Sequence, residues 1–444
     1  MSKKWRVKIC YQIFERVRKK QEEIKMRFVK IIFLVVLIMF LFVGCGSKKG
    51  TTEVIKSNEV FVATSLEDFS DDFSVSVKAS NNLGYDLLKI LFDGDNALFS
   101  PFSLSTALAM LQNGAVDETK LGILNVMGES EQFGINQRYN ALISYISKTP
   151  EKDDEKGLHT LIGNSFWFRE EINPKKSFVD TLSKYYGAEI FKVNFRDPKT
   201  VDVINKWVEE KTNHLLKDTL SEIDPSALAY LMNTVYFKGS WIKEFEKHAT
   251  SDKPFYLADG SEKSVSMMYQ ENYFNYYVEE NLQVAAFPYH DGATMYVFLP
   301  KNDINEFLND NSYENILEKI EKTKNGRIER LGVFMPKFEY EVKNDLSTIL
   351  VKLGMDLSFN PAKADFKEMI ELGGQNVYIS EVFQNAKIIN DEAGTEAAAV
   401  TVIGIRATSM PVRPIIFNCN RPFFYVIEDD YTGAALFMGI FSNP

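Results

Sequence analysis

Apolar and polar positions change rhythm several times along this chain of 444 residues. Ile31 to Val43 is an unbroken apolar run of thirteen residues preceded by Arg27 and Lys30, too short to span a membrane comfortably but suited to the core of an export signal. The spacing over Val201 to Leu216 predicts a helix, and the runs Val284 to Phe287 and Thr294 to Leu299 predict strands. Ser100 before Pro101 reads as a helix N-cap with proline in the first position, after which Leu104, Leu108 and Leu111 fall on one face. Gly239 reads as a turn glycine, and Pro422 as the opening of a strand through Ile427. The mixture predicts an α+β architecture. Beyond about residue 75 no internal repeat, long linker or charge block marks a second domain.

One segment stands apart. From Asp391 to Ser409 the chain is small and uncharged around Ala397, Ala398 and Ala399, then β-branched through Val400, Thr401, Val402 and Ile403. If extended, it would place Thr395, Ala397, Ala399, Thr401, Ile403 and Ile405 on one face, leaving the charges of Glu396 and Arg406 on the other. Such a strand could bury its first face and wet its second. The local sequence by itself favours an Ala-rich helical turn followed by a loose loop, so something outside the segment must decide its state.

The wider chain supplies a resemblance. Asn96-Ala-Leu-Phe-Ser-Pro-Phe-Ser103, Asn233-Thr-Val-Tyr-Phe-Lys-Gly-Ser-Trp241, Phe287-Pro-Tyr289, Met335-Pro-Lys-Phe338, Leu353-Gly-Met355, Asn420-Arg-Pro-Phe-Phe424 and Phe437-Met-Gly439 occur in the order found in serpins. With the segment at 391–409, residues 76 to 444 resemble an inhibitory serpin. The resemblance implies three β-sheets, eight or nine helices and an exposed reactive-centre loop near the C-terminus. It implies a suicide substrate for a serine protease, trapped as a covalent acyl-enzyme when the cleaved loop inserts into the main sheet. Glu392, Gly394, Thr395, Ala397, Ala398 and Ala399 match the hinge of that loop, without a proline or a buried charge. Counting fifteen residues from Gly394 places the scissile bond at Thr408–Ser409, which suits an elastase-like or subtilisin-like enzyme. Arg406, with a trypsin-like target, and Ala407 are the competing positions. Ser100, Ser103 and Asn233 match the family's "shutter" beneath the main sheet, with Gln384 where a histidine is usual. A non-inhibitory serpin acting as a surface binding or chaperone-like protein is the alternative.

Composition narrows the rest. The four histidines, His159, His214, His248 and His290, lie in no metal or nucleophile-elbow pattern, and no phosphate-binding loop is present, so neither an enzyme nor a cofactor is expected. Leu41-Phe-Val-Gly-Cys45 resembles a bacterial lipoprotein box, departing from it at Phe42. Residues 1–44 then form a leader, with Met26 as a compact alternative start, and 45–75 a lipidated Cys45 and tether; a short transmembrane anchor is the competing reading. Either way the protein is expected to be exported, anchored outside the cytoplasm or released from there. Residues 1–44 hold 11 basic and 3 acidic groups, leaving 40 basic against 58 acidic and a formal net charge of −18, which argues against nucleic-acid partners. Cys10, Cys45 and Cys419 leave no intrachain disulfide in the mature chain, which is expected to be a monomer.

Overall fold

The computed structural model describes residues 52–66, 73–130, 134–147, 157–371, 377–395 and 413–444. Its helices are α1 (Phe73–Leu91), α2 (Pro101–Leu111), α3 (Asp117–Met127), α4 (Ile135–Ile146), α5 (Lys176–Tyr186), α6 (Lys199–Lys211), α7 (Ile304–Asp310), α8 (Tyr313–Lys324) and the single turn α9 (Ser347–Leu350). Its strands run from β1 (Glu53–Ile55), β2 (Ala97–Phe99), β3 (His159–Arg169), β4 (Glu189–Val193), β5 (Ala229–Ser240) and β6 (Ser251–Tyr256) to β7 (Glu262–Glu279) and β8 (Leu282–Tyr289). Then follow β9 (Ala293–Pro300), β10 (Arg327–Pro336), β11 (Phe338–Asp345), β12 (Phe383–Asn390), β13 (Gly394–Thr395), β14 (Ile415–Asn418), β15 (Phe423–Asp429) and β16 (Ala435–Phe441).

Among the described residues these strands form two continuous sheets. One has the order β1-β4-β3-β5-β13-β12-β11, the other β14-β10-β7-β8-β9-β15-β16-β2 with β6 paired to β7. Strand β7, eighteen residues long, pairs in turn with β6, β10 and β8, and so fuses what the resemblance counts as a second and a third sheet. The hairpin β15–β16 is buried at every position, which is why Phe423 to Ile427 and Ala435 to Phe441 read as unbroken apolar runs, although β15 ends in the buried Glu428 and Asp429. The main core lies between the sheets and helices α1, α2, α4 and α5. A second cluster, in which Trp167 stacks on Phe191 at 4.0 Å and meets Trp207 edge-on, fills the outer face of the first sheet beneath α6.

Local chemistry explains the agreements and the departures. Ser100 does cap α2, its hydroxyl accepting from Ser103 N at 3.3 Å with Pro101 in the first turn. The helix expected at 201–216 stops at Lys211, because Asn213 and His214 take left-handed φ of 48° and 65° and turn the chain across the sheet. Gly239 is not in a turn. It sits within β5, where a Cβ would lie 2.8 Å from the Tyr289 ring.

The expected tether differs as well. Glu53–Ile55 pairs antiparallel with β4, Ser57 donates to Asp180 at 2.7 Å, and Thr64 reaches Asn140 and Ser144 on α4. Edge pairing uses backbone groups, so the polar sequence carried little sign of it. Removing residues up to Asn58 is therefore expected to lower the unfolding midpoint by a few degrees, read by calorimetry, whereas a free tether would leave it unchanged.

Candidate functional site

The site is the lane between β5 and β12 in the first sheet. Among the described residues no ladder joins these strands directly; only β13 bridges them, with Gly394 opposite Ser240, and Thr395 opposite both Gly239 and Asn390. Below that bridge the lane opens onto a cavity of about 80 Å³ lined by Leu104, Leu108, Phe166, Leu231, Val377 and Ile379.

The turn that feeds β13 is tightly built. Asp391 Oδ1 accepts from Ala393 N at 2.9 Å and Gly394 N at 3.3 Å, and Gly394 O accepts from Asp391 N at 2.9 Å. Gly394 has φ of 153°, and a Cβ on it would lie 2.1 Å from the Gly239 carbonyl oxygen, so only glycine fits. Trp241 fastens the turn, its Nε1 donating to Asp391 O at 3.1 Å and its backbone N to Ala393 O at 2.9 Å. Trp241 also stacks on Tyr289 at 4.2 Å, and the Tyr289 hydroxyl meets Thr395 Oγ1 at 2.8 Å. Thr395 thus turns inward, as the alternation over 395–405 predicts for its first residue.

Glu392 corrects the expectation of a hinge without buried charge. It is 5% exposed, and its carboxylate pairs with Lys337 Nζ at 2.7 Å while accepting from Thr250 Oγ1 at 2.8 Å. Burial acts to raise its pKa, but the bonds from Lys337 and Thr250 outweigh burial and hold it below the ordinary carboxylate value. Asp391 shifts upward, because burial outweighs the two backbone donors.

Beneath the lane the four residues matched to the shutter come together. Gln384 on β12 grips Ser100 twice, accepting from its N at 2.8 Å and donating to its O at 2.9 Å. Ser103 Oγ donates to Asn233 Oδ1 on β5, and Asn233 Nδ2 donates to Asn164 on β3 at 2.5 Å. The chain of bonds runs from β12 through α2 to β5 and β3. On the outer face the segment after α6 spans the same strands, Asn213 donating to the Tyr236 hydroxyl on β5 at 3.2 Å, and Thr219 O accepting from Asn385 on β12 at 3.2 Å. Ala397, Ala398, Ala399, Thr408, Ser409 and Cys45 lie outside the described residues. Trp241, Tyr289, Lys337 and Thr250 were not singled out as site residues, although the first three stand inside motif blocks that signalled the family. Cys419 is buried, and burial raises its thiol pKa, as suits an inert core cysteine.

A family model described as "Serpin (serine protease inhibitor)" matches residues 78–444. The chain belongs to the serpin family, whose members bind serine proteases and are generally protease inhibitors rather than catalytic enzymes. An uncharacterized serpin-like protein of Methanosarcina acetivorans is 33% identical over 436 residues, covering 94% of this chain and 98% of the relative. Leukocyte elastase inhibitor of Xenopus laevis is 32% identical, covering 82% of this chain and 98% of the relative. The native state of the thermophilic serpin tengpin superposes with a TM-score of 0.75 at 32% identity, over 88% of this chain and 98% of that one.

Two outcomes are expected here. Glu392→Gln removes the Lys337 pair and should lower stability by about 1–3 kcal/mol at neutral pH. Because the folded value is depressed, the wild-type contribution is present above the ordinary value of 4.5 and lost as pH falls through the folded one, so unfolding midpoints of wild type and variant should converge on acidification. Asp391 has the opposite sign, its contribution being lost as pH rises, and both proteins retain it. Gln384→Ala leaves the buried Ser100 N–H unpaired and should cost about 1–3 kcal/mol in denaturant unfolding.

Proposed function

We propose that this serpin is a suicide inhibitor of serine proteases, and the observation that carries the reading is β13. Two loop residues already stand in the lane between β5 and β12, and the lane continues below them. The protease's serine Oγ attacks the carbonyl carbon of Thr408, passing its proton to the protease's own base. The bond to Ser409 N breaks, the amine leaves protonated, and an ester joins the protease to Thr408. Water would hydrolyse that ester, so inhibition requires insertion to be faster.

The insertion has a physical drive. From Glu396 to Thr408 thirteen further residues can extend β13, spanning on the order of 43 Å at about 3.3 Å each, and the first ten of them can pair along the ten β5 positions below the bridge, Ala229 to Lys238, an edge of about 33 Å. Ladder bonds contributing roughly 1 kcal/mol apiece, with burial of Ala397, Ala399, Thr401 and Ile403 over the apolar lining, make the step strongly downhill. The protease is carried to the far end of the sheet and distorted there. A threonine before the bond favours elastase-like or subtilisin-like enzymes. Residues 1–44 act as an export leader and Cys45 as a lipid attachment point, holding the monomeric inhibitor outside the cytoplasm.

Mixing residues 50–444 with subtilisin-like, elastase-like and trypsin-like proteases should give a denaturant-stable complex and a released peptide beginning at Ser409 by mass spectrometry. A peptide beginning at Ala407 would move the target to trypsin-like enzymes, and cleavage without any complex would favour the non-inhibitory reading. Labelled fatty acid should enter the full-length protein and not its Cys45→Ser form.

A further inference from the structure

Lys238 stands half-buried on β5, at the edge of the lane, and among the described residues it makes no ion pair and no hydrogen bond. Its lysine neighbours are engaged: Lys387 on β12 is held by Glu339 at 2.8 Å, and Lys337, just before β11, by Glu392 at 2.7 Å. His159 lies directly across from it on β3 and cannot balance its charge; burial first, and Lys238 second, push the His159 pKa down. The ring is turned instead onto Tyr236, edge to face at 5.3 Å. A partly desolvated cation without a counter-charge is unfavourable, so the intact protein carries an electrostatic cost at this position that a carboxylate could relieve.

The register of β13 says which carboxylate. Gly394 lies opposite Ser240 and Thr395 opposite Gly239, so the next residue added to the strand, Glu396, falls opposite Lys238. On the other side Thr395 opposite Asn390 sets Glu396 against Ile389, with Lys387 two residues further along the same face of β12. The faces agree as well. Thr395 turns inward to Tyr289, and a Cβ on Gly239 would meet that same ring, so by alternation both Glu396 and Lys238 belong to the outer face. There a cleft of about 390 Å³ beneath the segment after α6, lined by Asn213, His214, Lys387 and Ile389, gives the side chain room. Glu396 is the sole acidic residue between Thr395 and Ser409. The first residue to lengthen β13 is therefore also the one carboxylate that the inserting segment must bring into the sheet.

We propose that Lys238 is the positioning residue for loop entry, taking the Glu396 carboxylate as β13 grows by its first added residue and so committing the cleaved loop to the lane before the ester is hydrolysed. This rests on the inhibitory reading above. Opposite charges facing one another across a strand pair are favourable and like charges are not, so the pair also fixes the register in which the following residues enter. Without the lysine, the carboxylate enters a half-buried lane with no cation opposite, entry slows, and more acyl-enzyme is lost to water. Cleavage itself takes place at Thr408, twelve residues away, and does not depend on the pair.

Charge reversal tests this apart from the inhibitory mechanism. Lys238→Glu and Glu396→Lys each set like charges opposite one another, and the two together restore an opposite pair with its ends exchanged. Two readings would be taken on the full chain: moles of inhibitor consumed per mole of protease trapped, with an enzyme that forms the complex with wild type, and guanidinium midpoints of the intact and the singly nicked protein. Each single reversal is expected to raise the stoichiometry about twofold or more and to lower the midpoint of the nicked form, leaving the intact midpoint and the rate of loop cleavage unchanged. The exchanged pair, and Lys238→Arg, should return both readings to near wild type. A residue that only supported the fold would shift intact and nicked midpoints alike and would not be rescued by a change at Glu396; should Lys238→Glu fail to fold, Glu396→Lys with Lys238→Arg still decides. Stoichiometries unmoved by the single reversals, or an exchanged pair that restores neither reading, would overturn the role of Lys238 alone. Absence of a complex with wild type would overturn the inhibitory reading, and this role with it.

Discussion

The unfinished seam between β5 and β12 is the constraint on which the rest of this structure depends. Both strands face the same core, yet β13 joins them over two residues only. Backbone donors and acceptors along a strand edge are ordinarily paired or solvated, and a long open edge invites another strand. On the mechanism proposed above, the strand that finishes the sheet is the segment of the same chain that follows Thr395, whose first two residues pair in the seam as β13. On that same proposal, stability left unclaimed in the seam is the work available when the loop is cut.

Around that seam the molecule places three fastenings, each on a different side. Glu392, Lys337, Thr250 and Trp241 fix the turn above β13. Gln384, Ser100, Ser103, Asn233 and Asn164 tie both strands to α2 and β3 from beneath. The segment after α6 crosses the outer face and bonds to both strands, with Asn213, His214 and Asp218 all in left-handed backbone conformations. These are short polar contacts spread over separate elements. They tie the two strands to their neighbours on both sides of the sheet without filling the seam between them.

Much of this was legible in the sequence, for reasons that differ by residue. Ser100-Pro101 announced α2 because capping chemistry is local, and the apolar runs announced β9 and β15 because burial on both faces leaves no alternation. Gly394 was legible as a pivot, and the structure adds that only glycine fits against the Gly239 carbonyl. Gly239 itself was misread, since its requirement comes from the Tyr289 ring fifty residues away and no local pattern carries that. Glu392 was expected in a hinge without buried charge and is instead buried against Lys337, a contact between positions 55 residues apart. The docking of 53–55 on β4 was equally invisible, because backbone pairing at a sheet edge asks little of side chains.

The most direct test of the central claim is thermal unfolding of the intact protein against the same protein nicked once within residues 396–412 and freed of protease. If the loop completes the sheet, up to ten further residues paired along β5 should raise the midpoint by on the order of 20 °C. A nicked protein that unfolds at the same temperature as the intact one would show that the seam stores no usable stability and would contradict the account.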